Sequence, residues 1–340
     1  MSSSNNHLIE VRDLYVSFPL DEGTVQAVHG VSITVRRGQV LGVVGESGSG
    51  KTVTAQAILR IIPKPGRIDA GAIFFHRARA AVADSQQTDV IDLTQLDPGG
   101  KEIRSLRGGE IAMIFQEPMA SFSPVHTIGN QMMEAILLHR DVSQEEAREV
   151  AVDMLAKVGI SNAERRVDQY SFEFSGGMRQ RAMIATALSC NPSLLIADEP
   201  TTALDVTIQA QILDLMQQLR EEIGTAIMFI THNLGVIAQI AEEVVVMYLG
   251  RVMEEGPTRE IFHHPQHPYT LNLLRAIPHI GQPVRRLTAI EGQLPSPFER
   301  PPGCPFHPRC KDLIPGRCDV EVPPLIQIGP NHATSCFLYE

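Results

Sequence analysis

The sequence predicts an α/β protein built around a parallel sheet and a phosphate-binding loop, and three observations carry that prediction. The apolar run Val40, Leu41, Val43 and Val44 reads as a buried parallel strand. It leads into Gly45-Glu46-Ser47-Gly48-Ser49-Gly50-Lys51-Thr52, which satisfies G-x-x-x-x-G-K-[ST] at every constrained position, and Val53 to Ile62 reads as the helix leaving the loop. A second wholly apolar run, Leu194 to Ala197, ends in Asp198 with Glu199 directly behind it. Glycines at 45, 48 and 50 let backbone N–H groups turn inward around phosphate oxygens, and the helix N-terminus adds its positive dipole end. Lys51 is then placed to reach the β- and γ-phosphates of a nucleoside triphosphate, and Thr52 to ligate Mg²⁺. An acid at the strand end supports Mg²⁺, and Glu199 beside it can orient or deprotonate an attacking water.

The 340 residues allow one large α/β domain with an appendage, or two modest domains. With 43% hydrophobic and 20% charged residues, the composition excludes a globally disordered chain. A formal net charge of -10 argues against a general nucleic-acid binder, whose affinity rests on Lys and Arg neutralising phosphates. Met1 to His7 is polar and lacks the apolar stretch of a secretory signal, so a cytoplasmic chain is expected. No apolar run reaches the roughly 18 to 20 residues of a membrane span. The nearest approach, Ala226 to Leu249, is broken by His232, Asn233, Gln239, Glu242 and Glu243.

Ahead of the loop, His7 to Val16 and Val31 to Val35 alternate as strands around a turn at Asp21-Glu22-Gly23, which predicts a small antiparallel sheet. Phe18 at its edge reads either as a stacking platform for an adenine ring or as an ordinary packed aromatic. Ala72 to Phe75 and Val90 to Leu93 flank a polar, alanine-rich segment, Arg77 to Thr88, expected to be a surface insertion. Ile111 to Phe115 reads as a strand ending at Gln116. Helical periodicity follows over Met132 to Leu138, Glu145 to Val158 and Ala163 to Val167, with Val150, Met154, Leu155 and Val158 on one face, so a helical subdomain is inserted here.

Ser175-Gly176-Gly177 opens another helix, to Leu188, with Ser175 as its N-cap and a second exposed anion-binding N-terminus. Val206 to Leu219 is amphipathic and ends before Gly224. Ala226 to Ile230 is the next strand, with His232 at its end, and Val244 to Tyr248 the last core strand. Because open α/β sheets bind ligands at the carboxyl ends of their strands, Gln116, Asp198, Glu199 and His232 are expected to serve the nucleotide of Lys51.

Taken in order, Gly45 to Thr52, Phe115-Gln116-Glu117-Pro118, Ser175-Gly176-Gly177-Met178-Arg179-Gln180, Leu194 to Glu199, Ala203-Leu204-Asp205 and His232 resemble the ATP-binding subunits of ABC transporters. The resemblance implies a RecA-like core of the ABC type with an antiparallel β subdomain and a helical subdomain. It also implies a head-to-tail dimer with ATP held between the phosphate loop of one subunit and Ser175 to Gly177 of the other. By it, Phe18 stacks on adenine, residues 45–52 hold ATP, and Gln116 senses Mg²⁺ and the membrane partner. Asp198 supports Mg²⁺, Glu199 is the general base, Asp205 shapes the dimer contact and His232 contacts the γ-phosphate.

A narrower similarity, to the oligopeptide and dipeptide importer ATPases, rests on Phe115 to Met119, on Ala197 to Gln211, on His267-Pro268-Tyr269-Thr270 and on a cysteine-bearing tail. It implies ATP-driven import of di- or oligopeptides, with nickel or oligosaccharides as other cargoes of the group. The partners it implies are a second, different ATPase chain, two permeases and an external binding protein, with the chain on the cytoplasmic face of the membrane. Phe174-Ser175 stands where the family commonly has Leu-Ser, and Tyr170 to Glu173 lacks the usual Pro-His pair. A soluble ABC-type ATPase acting on nucleic acid or ribosomes would carry a second phosphate loop or sustained heptads, and neither is found.

Residues 1–260 are thus assigned to the nucleotide-binding domain, with the helical subdomain at about 117–190, and residues 261–340 to a C-terminal extension. After Gly256-Pro257 the chain becomes rich in Pro, His and Arg, with a linker expected at Pro295 to Pro302. The extension carries Cys304-x5-Cys310-x7-Cys318-x17-Cys336, four soft ligands, enough for a tetrahedral metal or cluster site. Their spacing matches neither paired zinc motifs nor the ferredoxin run, so the residues alone leave an iron–sulfur cluster, zinc or no metal open. The resemblance implies a 4Fe-4S cluster. His307 is expected at the surface, His263, His264 and His267 as a solvated helix end and turn, and Cys190 as plain core.

Overall fold

The computed structural model describes residues 6–78, 88–116, 122–202, 205–276 and 290–340. In chain order come β1 (His7–Leu20), β2 (Gly23–Arg36), β3 (Val40–Val44), α1 (Lys51–Ile58), β4 (Arg67–Ala78), β5 (Thr88–Asp92), α2 (Lys101–Leu106) and β6 (Ile111–Ile114). Then follow α3 (Ile128–His139), α4 (Gln144–Lys157), α5 (Ala163–Arg166), α6 (Gly176–Leu188), β7 (Leu194–Asp198), α7 (Val206–Ile223) and β8 (Ala226–Thr231). The chain finishes with α8 (Leu234–Ile240), β9 (Glu243–Tyr248), β10 (Arg251–Pro257), α9 (Thr258–His263), α10 (Pro268–Arg275), β11 (Ile326–Gly329) and β12 (His332–Thr334). It divides into two units, residues 1–35, 40–95 and 231–340, and residues 36–39 and 96–230.

The first unit contains the antiparallel sheet, in the order β2-β1-β4-β5. Its hairpin turns where expected, but both strands run longer than the alternation indicated, because exposed polar residues between Ser17 and His29 blur the period. β4 and β5 pair antiparallel from Phe74↔Asp92 to Ala78↔Thr88, so the expected insertion is the connection between them; residues 79–87 lie outside the described part. α1 stops four residues short of Ile62, since Arg60 adopts a left-handed φ of 55° and Pro63 follows.

β3 pairs parallel with β9, and all five of its residues are buried, which is why it reads as an unbroken apolar run. β9 is not the last strand of this sheet, as expected from the sequence. β10 pairs antiparallel with it, β12 with β10, and β11 with β12. Polar residues in Arg251-Val252-Met253-Glu254-Glu255-Gly256-Pro257 hid β10, and one of them, Glu254, is 0% exposed. Its carboxylate accepts the N–H groups of Gln266 (2.8 Å) and His267 (2.9 Å) and lies 2.8 Å from Nε2 of His332, so the burial is compensated. The irregular segment at Pro295 to Pro302 brings Phe298 against Gly23, where a Cβ would lie 3.4 Å from its ring.

The second unit carries the parallel strands β6, β7 and β8, with β7 in register from Ile111↔Leu194 on one side to Asp198↔Ile230 on the other. Its longer helices begin at side-chain caps. Thr127 accepts from Asn130 at α3, Ser143 and Glu146 form a reciprocal capping box at α4, and Asp205 caps α7, which ends at Gly224 with φ 77°. The buried face of α4 is Ala147, Ala151, Met154 and Leu155, with Val158 following; Val150 is half-buried at its margin.

Candidate functional site

In the first unit the loop from Gly45 to Gly50 joins β3 to α1. Lys51 is 7% exposed, and its ammonium donates to the carbonyls of Gly45 (2.8 Å) and Glu46 (2.9 Å) and to Ser49 Oγ (3.2 Å), so it sits inside the curl of the loop. Gly45 has φ 153° and Gly50 φ 95°. A Cβ on the first would fall 2.1 Å from the Met247 carbonyl oxygen, and on the second 2.4 Å from that of Ala27. Neither position can hold another residue without moving backbone. Ser47 and Gly48 at the tip are exposed, and Thr52 is half-buried one residue into α1, whose first turn has no acid to offset the dipole. His232 is exposed immediately after β8. Phe18, half-buried, packs on Gly66, where a Cβ would lie 2.5 Å from its ring.

In the second unit β7 delivers Asp198, 1% exposed, at its carboxyl end. Glu199 follows with φ 50°, a left-handed conformation uncommon for a non-glycine residue and enriched at functional sites. Several bonds hold that strained residue: its N–H donates to the Ile230 carbonyl at 2.9 Å, its carbonyl accepts the Thr202 N–H at 3.2 Å, and its Oε2 accepts from Thr202 Oγ1 at 2.7 Å. Buried Gln180, on α6, donates to the Pro200 carbonyl at 2.5 Å. Reasoning from the sequence gave Thr202 and Gln180 no role; the signal available was an amide spaced to lie on the buried face of α6.

Ser175 caps α6 by accepting the Met178 N–H at 3.3 Å, and Ser175 and Gly176 are exposed. Among the described residues a Cβ on Gly176 would meet nothing within 4 Å, while one on Gly177 would touch Ile208 at 3.4 Å. Asp205 is exposed and accepts the Ile208 N–H at 2.9 Å. Gln116 is exposed just beyond β6; Glu117, Pro118 and Met119 after it, and Ala203 and Leu204, lie outside the described residues.

In the extension, Cys304, Cys310, Cys318 and Cys336 line one pocket together with His267 and Phe306. All four are free thiols. Each sulfur accepts a backbone N–H: Cys304 from Phe306, Cys310 from Asp312, Cys318 from Ile314 (3.4 Å) and Cys336 from Leu338. Burial pushes the Cys304 thiol up to about 12 and Cys310 to about 11, with the neighbouring cysteines adding to both. Among the described residues no group of three His, Cys, Asp or Glu side chains is disposed to hold a metal ion as the chain stands. Four soft sulfurs, each accepting a backbone N–H, are nonetheless the donor set a soft metal takes, although burial and mutual repulsion hold Cys304, Cys310 and Cys336 as thiols here.

His267 corrects an expectation: it is 1% exposed, accepts the Tyr269 N–H at 3.0 Å as the cap of α10, and burial pulls it down to about 3. His263 and His264 are exposed as expected. His307 is half-buried, its Nδ1 2.9 Å from the Cys304 carbonyl oxygen, and Cys190 is half-buried where plain core was expected.

A loop of this geometry, with a buried strand-end acid and a strained glutamate in the same chain, defines a phosphate-loop nucleoside triphosphatase. Comparison with known proteins makes the assignment narrower. Residues 28–202 match the family described as ABC transporter, and residues 253–318 match the oligopeptide/dipeptide transporter C-terminal region. The chain is 45% identical to the oligopeptide transport ATP-binding protein OppD of Salmonella typhimurium, covering 98% of this chain and 94% of that one. It is 44% identical to the dipeptide transport ATP-binding protein DppD of Bacillus subtilis, over 98% and 95%. Among solved structures, the dimeric bacterial ABC transporter cassette MJ0796 superposes with a TM-score of 0.62 at 26% identity, covering 74% of this chain and 99% of that one. This chain belongs to the ABC transporter family, as an ATP-binding subunit that carries the oligopeptide/dipeptide C-terminal region.

Proposed function

We propose that this chain hydrolyses ATP to energise the import of di- or oligopeptides. The observation that carries the cargo is the match of residues 253–318, because a cassette alone is common to transporters of every solute. Lys51 and the N–H groups of the Gly45 to Gly50 loop bind the β- and γ-phosphates, and Phe18 stacks on the adenine. Thr52, Asp198 and Gln116 offer the hard oxygen donors that suit Mg²⁺, which would neutralise charge on the phosphates. Glu199 takes a proton from the water that attacks the γ-phosphorus as ADP leaves, and His232 contacts the γ-phosphate. Ser175 to Gly177 serve the ATP of a second subunit, with Asp205 at the contact between them. The room around Gly176 supports a motif that meets something outside its own chain.

Cys304, Cys310, Cys318 and Cys336 hold a 4Fe-4S cluster in this reading, with zinc as the other soft metal they suit. Metal and sulfide analysis of the purified chain, beside a Cys318→Ser variant, tests it: metal near one site per chain in the first and lost in the second is expected. Among the described residues no helix is long and apolar enough to cross a membrane. In this reading two permeases hold the chain at the cytoplasmic face, in an assembly with a second, different ATPase chain and an external binding protein. The deciding experiment measures ATP hydrolysis by the complete complex in lipid, with its binding protein empty or loaded with a short peptide. Stimulation by the loaded form is expected. Hydrolysis without stimulation would move the cargo to nickel, an oligosaccharide or another solute.

A further inference from the structure

Glu46 is the second residue of the phosphate loop, and every polar group it has is engaged. Its carbonyl accepts from Lys51 Nζ at 2.9 Å, and its N–H donates to the Tyr269 hydroxyl at 3.0 Å. Its carboxylate receives a two-pronged pair from Arg309, Nη1 to Oε2 at 2.7 Å and Nη2 to Oε1 at 3.2 Å. The Arg309 side chain is 5% exposed, and its remaining donors are placed on the Tyr248 hydroxyl (3.3 Å) and the carbonyls of Ile290 (3.3 Å) and Glu291 (3.2 Å). A guanidinium fixed on so many acceptors is a preorganised fork, which a lysine ammonium cannot reproduce. Arg309 is also the residue before Cys310. Beneath it, Tyr248, Tyr269 and Phe306 pack ring against ring with centroids 4.6 to 5.4 Å apart, joining β9, α10 and the cysteine segment.

A carboxylate in a phosphate loop is an electrostatic liability, since it repels the triphosphate the loop is built to hold. We infer that Arg309 is a positioning residue for ATP binding: it neutralises Glu46 and fixes the loop, so that the C-terminal extension supports nucleotide affinity. This rests on the reading of residues 45–52 as the ATP loop, and a wild-type chain with no measurable ATP affinity would remove that reading first. The test is the dissociation constant of ATP for the full chain, with the KM and kcat of its hydrolysis.

Arg309→Gln leaves the Glu46 charge uncovered and should raise Kd and KM about tenfold while kcat falls less than twofold. Adding Glu46→Gln to it removes the repulsion and should restore most of the affinity. A merely structural contact predicts no such recovery. Arg309→Lys keeps the charge but not the fork, and should raise Kd by clearly less than Arg309→Gln does. An unchanged Kd in Arg309→Gln, no recovery in the double variant, or a loss with Lys as large as with Gln would each overturn the proposal.

Discussion

The amide of Gln180 and the carbonyl of Pro200 meet at 2.5 Å inside the second unit, tying the helix that opens at Ser175 to the residue that follows Glu199. The proposed anion-binding helix and the proposed general base are therefore braced against each other. Replacing Gln180 by Leu orphans a buried carbonyl, at about 1–3 kcal/mol of stability. It should also lower kcat about tenfold or more by releasing the Glu199 backbone, with the KM for ATP little changed. Thermal unfolding and steady-state ATPase assays of the same preparation check both.

Glu199→Gln keeps an acceptor for Thr202 and cannot take a proton. ATP binding should persist while kcat falls by about 10²- to 10⁴-fold. If single-turnover hydrolysis survives at the wild-type rate, another group is the base.

Gly45 and Gly176 should respond oppositely to the same small change. Gly45→Ala places a methyl 2.1 Å from a backbone oxygen, so ATP binding and the unfolding temperature should both fall. Gly176→Ala meets none of the described residues within 4 Å and should leave stability within about 0.5 kcal/mol. If Gly176 faces the ATP of a second subunit, hydrolysis by the assembled complex should nevertheless drop; a fully active complex would sink that assignment.

How much of this could be read beforehand depended on distance along the chain. Strands β3, β6, β7 and β8 and the helices α3, α4, α6 and α7 were legible because their apolar residues are continuous or recur at helical spacing. The loop and the strand-end acids stood out because their residue types and spacing match a phosphate-binding pattern, and the structure places the acids at the end of β7. What stayed hidden was long-range pairing. Nothing local distinguishes Glu254, buried in β10, from its exposed counterparts, since its partners lie at 266, 267 and 332. His267 was misjudged for the same reason, and the link of Arg309 to Glu46 crosses more of the sequence than any periodicity reports.

His29 makes folding sensitive to acid. Burial lowers it from 6.5 to about 4, assisted by the charges of Arg300 and Arg251, and its Nδ1 faces Arg251 Nη2 at 2.8 Å. Between those two values the unfolded chain binds a proton that the folded chain does not, so stability rises with pH there and is lost as pH falls from about 6.5 towards 4. His29→Gln keeps an acceptor for Arg251 and removes the titration. Its unfolding temperature should fall less than that of the wild type between pH 6.5 and 4.

The buried carboxylate of Glu254 has a consequence for anyone seeking a minimal ATPase from this chain. A version cut after residue 260 would retain the phosphate loop and every residue assigned to hydrolysis. It would also lose the bonds from Gln266, His267 and His332 in one stroke, leaving a naked anion at the heart of β10 and an open sheet edge where β12 had lain. Such a fragment would aggregate at that open edge, so the shortest workable ATPase from this chain runs through β12.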